Sequence, residues 1–301
     1  MFELERRMGE GEVVVLDGAT GTELEKRGVP MDDAAWCAAA LVTHPETVRE
    51  VHEDYIRAGA DVVITNTFPT SRHVLEPAGL GERFRELNEL AVELAKQARE
   101  NVGEKSVYLA GSISTFSPHD DDALQPREAE ARANYREQAE VLAEAGVDLI
   151  ALEMLRDVSQ ARYTVEGAVE TGLPVWAGFS CRRSEDGTVV LWDEESTPLA
   201  VALEEVPLSG VSVVNVMHTL VVDTPAALAQ VARSWDGLVG AYPHAGRFVM
   251  PNWQFTDQIS PRRFADEAVK WPDAGALAIG GCCGIGPDHI RAIRERFPAR
   301  V

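Results

Sequence analysis

The chain holds 301 residues, 45% of them hydrophobic and 26% charged, a composition that can bury a large core and places it among globular proteins. Its 28 basic and 49 acidic side chains leave a formal charge of −21, which repels nucleic acid and anionic lipid and argues against both as partners. No run approaches the ~18 apolar residues of a membrane helix, and four cysteines with only one adjacent pair make no disulfide framework, so no membrane role and a cytoplasmic location are expected.

The charged opening, Met1 to Gly11, lacks the apolar core of a signal peptide. From there one pattern recurs: a short apolar run, a polar or glycine-bearing loop, then a segment of helical period. Val13 to Asp17 is the first run, followed by the turn Gly18-Ala19-Thr20-Gly21-Thr22 and the charged segment Glu23 to Gly28. Thr43-His44-Pro45-Glu46 reads as a capped helix start with proline just inside, leading through Pro45 to Ala58 into the second run, Asp61 to Asn66. A long helix, Gly81 to Asn101, precedes the third run, Val107 to Ser112, and a helix from Pro126 to Ala145, stopped by Gly146, precedes the fourth, Val147 to Glu153. Pro174 to Ser180, Val211 to Val216, Gly237 to Tyr242 and Ala276 to Gly280 complete a set of eight. Eight buried-type strands alternating with helices predict an α/β protein, a single (β/α)8 TIM-type barrel over residues 1–301, with a doubly wound open sheet as the alternative.

In such a barrel the loops after the strands converge on one face, so residues far apart in sequence become neighbours. The candidates there are Asp17 and Thr20, Asn66 and Thr67, Ser112, Glu153, Ser180 and Cys181, Asn215 and His218, Tyr242 and His244, and Cys282 with Cys283. The last two stand in Ala278-Ile279-Gly280-Gly281-Cys282-Cys283-Gly284, a buried strand ending in a tight glycine turn that projects two thiols. Adjacent cysteines close a disulfide only with strained geometry, so the pair suits a soft metal or free thiols.

Four segments together carry a resemblance: Asp17-Gly18-Ala19-Thr20-Gly21-Thr22-Glu23-Leu24, Thr65-Asn66-Thr67-Phe68, Ala241-Tyr242-Pro243, and Gly280-Gly281-Cys282-Cys283-Gly284 with Pro287 and His289-Ile290. They resemble the homocysteine S-methyltransferase family, which includes S-methylmethionine, betaine and folate-dependent enzymes. The resemblance implies a Zn2+-dependent barrel that moves a methyl group from a sulfonium, betaine or folate-type donor to a small-molecule thiol such as homocysteine, a step of methionine biosynthesis. Zinc answers a chemical need, because a thiol of pKa about 8.5 is mostly protonated at neutral pH.

Cys282 and Cys283 match two of the family's metal ligands, but its third, a cysteine after an asparagine on the sixth strand, falls at Val216 in Asn215-Val216-Met217-His218. Three outcomes stay open. His218, two residues on and so on the same strand face, completes the site; Cys181 from the neighbouring strand does; or no zinc site survives, leaving a silent or repurposed barrel that binds an amino acid or sulfur compound. His244 is a further candidate of undetermined reach. Glu153 matches the carboxylate expected to hold a substrate ammonium, and the turn Asp17, Gly18, Ala19 and Thr20 can offer backbone N–H groups to a substrate carboxylate. Asn66 and Asn215 complete the expected substrate contacts. His119 with Asp120, Asp121 and Asp122 has ligand-type residues but reads as an exposed acidic loop, the tryptophans read as core or lid packing, and a homo-oligomer is possible.

Overall fold

The computed structural model describes residues 2–103, 107–117, 126–249 and 254–299, so the His119 to Asp122 loop and Trp253 lie outside the described residues. Among these, eight parallel strands form the barrel: β1 (Val14–Val15), β2 (Val62–Ile64), β3 (Tyr108–Ser114), β4 (Leu149–Leu155), β5 (Val175–Arg183), β7 (Val211–Leu220), β8 (Leu238–His244) and β11 (Ala276–Ile279). Three short strands lie outside it. β6 (Val189–Leu191) pairs antiparallel with the end of β5, and β9 (Arg247–Val249) pairs with β10 (Gln254–Thr256).

The ring runs β1-β11-β8-β7-β5-β4-β3-β2 and closes between β2 and β1 through a single parallel bridge, Leu16 to Val62. Two hydrogen bonds accompany it, Asp17 N–H to Val62 O at 3.0 Å and Asp61 N–H to Val15 O at 2.7 Å. The predicted (β/α)8 barrel is therefore the observed architecture.

One helix, α1 (Glu3–Gly9), lies across the end where the strands begin, and the others surround the barrel: α2 (Thr20–Lys26), α3 (Ala39–Thr43), α4 (Pro45–Ala58), α5 (Arg72–Leu75), α6 (Phe84–Val102), α7 (Glu128–Ala145), α8 (Val158–Val169), α9 (Leu199–Glu205), α10 (Thr224–Ser234), α11 (Pro261–Ala268) and α12 (Pro287–Arg296). Pro45 opens α4 as expected, but no side chain caps it, because Thr43 turns back to donate to Ala39 O at 2.9 Å. The long helix expected from Gly81 begins as a 3-10 turn, Gly81–Arg83, and becomes α6 only at Phe84. Gly146 ends α7 at φ 84°, a left-handed cap that a side chain would strain.

Alternation along the strands divides the core in two. Val15, Val63, Leu109, Ile150, Val214, Val216 and Ile279 pack with the helices, whereas Val14, Val62, Leu149, Trp176, Val213 and Met217 fill the barrel interior. Leu4 and Met8 of α1 join the interior group and stopper the end where the strands begin. With one end plugged by apolar residues, each contributing about 1.5–3 kcal/mol by burial, the open end is left for chemistry.

Candidate metal and substrate site

A cavity of about 510 Å3 opens at the C-terminal ends of the strands. Its rim joins the first turn to the double-cysteine turn. Gly281 N–H donates to Asp17 O at 3.0 Å, Ala19 N–H to Ile285 O at 3.0 Å, and the buried Tyr55 hydroxyl sits 3.0 Å from both Ala19 O and Ile285 O. Gly18 is required by this closeness, since a Cβ there would stand 2.1 Å from Ile285 O. On the other side, Cys282 N–H donates to Pro243 O at 2.8 Å and Ala245 N–H to Cys283 O at 3.1 Å. The thiols are thus held between the β1 and β8 loops.

His218 faces them. Its Nδ1 lies 3.6 Å from Cys282 Sγ, which lies 3.8 Å from Cys283 Sγ, and the three donor atoms fall within 4.8 Å of one another. Burial and the neighbouring His244 and Arg156 hold the His218 imidazolium well below its ordinary range, so the ring is neutral and keeps a lone pair for a metal. The Cys282 thiol is pushed up by Cys283 and by burial, so it binds a metal only by giving up a proton.

The route by which His218 arrives differs from the strand-parity argument. Val216 is fully buried, pairs with Phe179 and Ala241, and packs in the layer between sheet and helices, so a regular strand would send His218 to that same outer layer. Instead the β7–β8 register shifts between Met217 and Leu220, and His218 takes φ 41°, which turns its ring into the cavity. Cys181, the other proposed substitute, is on the helix side of β5. Its thiol accepts a 3.5 Å hydrogen bond from Thr219 Oγ1, and burial pushes its pKa up to about 12. His244 does not join the cysteines either. Its ring packs 4.5 Å from that of His218, with Trp192 edge-on to both at 5.4 and 5.6 Å.

The expected substrate residues divide into those that line the cavity and those beneath it. Gly18, Ala19, Thr20, Asn66 and Glu153 line it. Glu153 is buried, accepts a hydrogen bond from the Ser112 hydroxyl, and is raised to about 7 by burial. Asn66 is held by Cys37, donating to its carbonyl at 3.1 Å and accepting from its thiol at 3.2 Å. The Ala19 amide is taken by Ile285 O, so the N–H groups available from this turn are those opening α2, which have no partner within the helix.

Asp17 and Asn215 lie deeper. Asp17 Oδ2 accepts from Ile64 N–H at 2.8 Å, fixing β1 to β2, and burial followed by the charge of Glu153 raises its pKa despite that bond. Asn215 is buried in the barrel, with neither side-chain amide atom in a hydrogen bond, against Gly240, where a Cβ would meet its Oδ1 at 2.1 Å.

Met154 and Arg156 line the cavity and escaped the sequence reading, while Trp36 and Trp192, read there as core or lid packing, line it too, together with Phe68 and Phe116. Trp36, Met154 and His218 all have positive φ, 43°, 52° and 41°, so three of the four non-glycine residues so strained among those described stand on the cavity wall. No local signal in the sequence announces such a backbone.

The profile of the homocysteine S-methyltransferase family matches residues 14–297. Homocysteine S-methyltransferase of Escherichia coli is 32% identical over 306 residues, 95% of each chain. Betaine–homocysteine S-methyltransferase 1 of Xenopus laevis is 32% identical over 97% of this chain and 74% of its own length, and the selenocysteine methyltransferase of Astragalus bisulcatus is 27% identical over 94% and 92%. Among solved structures, the homocysteine methyltransferase MmuM from Escherichia coli superimposes with TM-scores of 0.81 in its oxidized form, covering 98% of this chain and 99% of that one, and 0.78 in its metallated form, covering 97% and 99%, both at 30% identity.

Proposed function

Because this chain belongs to the homocysteine S-methyltransferase family, we propose that it transfers a methyl group from a sulfonium, betaine or folate-type donor to the sulfur of a small thiol such as homocysteine, with Cys282, Cys283 and His218 as zinc ligands. The observation that carries the metal assignment is the spacing of the three donor atoms. Zn–S bonds of about 2.3 Å and Zn–N bonds of about 2.1 Å in a tetrahedron put two sulfurs about 3.8 Å apart and sulfur and nitrogen about 3.6 Å apart. Cys282 Sγ lies 3.8 Å from Cys283 Sγ and 3.6 Å from His218 Nδ1, and the three atoms fall within 4.8 Å of one another. Three protein ligands on a cavity wall leave a fourth position facing substrate.

Bound there, Zn2+ would supply stabilisation of a substrate thiolate at neutral pH. The chain's own residues do the rest. Glu153, as a carboxylate, holds the substrate ammonium, and the amides opening α2 hold its carboxylate, which points the thiol toward the cysteines. The Ser112 hydroxyl fixes Glu153 and the Ala19 N–H to Ile285 O bond fixes the turn before α2, while Asp17 and Asn66 tie the neighbouring loops through Ile64 and Cys37. Trp36, Phe68 and Phe116 pack with ring centroids 5.6 to 6.4 Å apart and offer a π surface to a cationic donor. The substrate sulfur attacks the methyl carbon in line; the new S–C bond forms as the donor's bond to that carbon breaks, its electron pair remaining on the donor heteroatom. An onium donor thereby loses its positive charge and the thiol proton passes to solvent, whereas a neutral folate-type amine takes up a proton as the methyl group leaves.

Elemental mass spectrometry of freshly purified protein tests the site. About one zinc per chain is expected, lost in Cys282→Ser/Cys283→Ser and in His218→Ala, together with methyl transfer to homocysteine from a panel of the three donor types. Zinc-free protein after reconstitution under reducing conditions, or no transfer from any donor, sinks the reading.

A further inference from the structure

A metal-binding histidine is ordinarily oriented by a carboxylate or carbonyl that accepts a hydrogen bond from its second ring nitrogen. His218 has no such support. Among the described residues, Cys282 Sγ, 3.6 Å from Nδ1, is the only hydrogen-bonding partner of its ring. Its backbone is strained, at φ 41°, so the surroundings have to hold the residue where it stands.

Two aromatic side chains pack against the ring instead. His244 lies 4.5 Å away between centroids, at an interplanar angle of 32°. Trp192 stands edge-on to both, at 5.4 Å and 66° from His218 and at 5.6 Å and 72° from His244. Each is anchored on a different element. Trp192, just past β6, donates its N–H to Ser180 O at 3.0 Å and accepts at its carbonyl from Arg182 Nε at 3.2 Å, which ties it to the end of β5. His244 is 5% exposed and ends β8 between two residues bonded to the thiol turn: Pro243 O accepts from Cys282 N–H at 2.8 Å, and Ala245 N–H donates to Cys283 O at 3.1 Å. The ring stacked on His218 and the two thiols therefore share one hydrogen-bonded frame.

We infer that His244 and Trp192 are positioning residues that clamp the His218 imidazole toward Cys282 and Cys283, ring packing here replacing the hydrogen bond that orients an ordinary histidine ligand. This rests on the metal assignment above. The three donor atoms, within 4.8 Å of one another, stay together only while the imidazole is turned into the cavity. Without its two neighbours the ring has other rotamers open to it, and the cost of ordering it falls on metal binding. Packing that orders the ring beforehand removes that cost.

Co2+ titration of the reduced, metal-free, full-length protein tests the clamp, read by the thiolate charge-transfer and d–d absorption of the ion, with Zn2+ affinity from chelator competition alongside. His244→Ala and Trp192→Ala are each expected to weaken both ions about 10- to 100-fold. His244→Phe, which restores a ring without a ligand nitrogen, stays within about threefold of the native protein. In a His218→Ala background, His244→Ala changes affinity by no more than about twofold, because the clamp has nothing left to hold. Trp192 is the half-buried member of the pair, so Trp192→Ala reads the same effect if a cavity at His244 prevents folding. Native affinity in a folded alanine variant, a loss in His244→Phe as large as in His244→Ala, or an equal loss with and without His218 would overturn the inference; the second of these would make His244 a ligand. A native protein that binds neither ion through its thiols removes the metal assignment and the clamp together. Methyl transfer to homocysteine is scored separately on the same preparations. Transfer without this pattern removes only the clamp, and the pattern without transfer removes only the activity.

Discussion

At the scale of single residues, the candidate site turns on groups whose surroundings change their chemistry. Glu153 is raised to about 7 by burial, so at neutral pH the ligand-free protein holds it divided between acid and carboxylate. Only the carboxylate pairs with an ammonium. The affinity for an amino-acid thiol is therefore expected to fall as pH drops through about 7, and Glu153→Gln should raise the Michaelis constant about tenfold or more and flatten that pH dependence. Initial-rate measurements between pH 6 and 8.5 check both. His218 and Val216 give a second expectation. If His218 is a metal ligand as proposed, removing it should cost more than the about 10- to 100-fold associated with losing an outer contact, so His218→Ala should bind zinc at least a hundredfold more weakly in chelator competition. Adding Val216→Cys to His218→Ala should not restore binding, because position 216 faces the helix layer. Recovery of zinc in the double variant would show that β7 can reset its register.

Among the elements, strand ends that break their own pattern build the cavity. Register shifts between Leu152 and Leu155 and between Met217 and Leu220 interrupt β4 and β7 at neighbouring positions, and Met154 N–H donates to Met217 Sδ at 3.1 Å across them. The resulting bends bring Met154 and His218 to the same cavity. β5 runs past the barrel to Arg183 and, with β6, brings Trp192 over the histidines. The double-cysteine turn depends on Gly284, at φ 82°, where a Cβ would stand 2.2 Å from the Phe255 ring and 2.3 Å from Ala245 O. Gly284→Ala combines backbone strain with a backbone clash and should destabilise the fold by about 2–4 kcal/mol while lowering zinc content. Urea unfolding with metal analysis of the same samples measures both effects.

For the whole molecule, closure of the barrel rests on few contacts. β1 and β2 share one bridge, and Asp61 reinforces the seam: its carboxylate accepts from Val15 N–H at 2.8 Å and pairs with Arg7 and Arg294. These side chains are 12 to 16% exposed, so losing the carboxylate strands the nearly buried Arg294 cation, while Arg7 keeps Glu12. Asp61→Ala should destabilise the protein by about 3–5 kcal/mol in denaturant unfolding, although the residue lies at the end of the barrel away from the cavity. The proposed zinc would add its own linkage. A ligand bound only by the native state raises stability, so chelation should lower the melting temperature of the native protein and leave that of Cys282→Ser/Cys283→Ser unchanged.

How much of this was legible in the sequence follows from which interactions are local. Strand runs, helix periods and the glycine turn at Cys282 and Cys283 are written in neighbouring residues, and they determined the barrel, the open end and two of the candidate ligands. Glu153 and the Gly18 to Thr20 turn were legible because strand ends in a barrel share one face. His218 was named from the sequence as a candidate third ligand, but on strand parity, which would have sent the ring among the helices; its turn into the cavity depends on how β7 meets β8. Arg156 was not legible, since its place on the wall depends on Thr115 and Asp193, 41 and 37 positions away. Local periodicity determines which elements form, and tertiary packing decides where a strand breaks its alternation and which side chains then face each other.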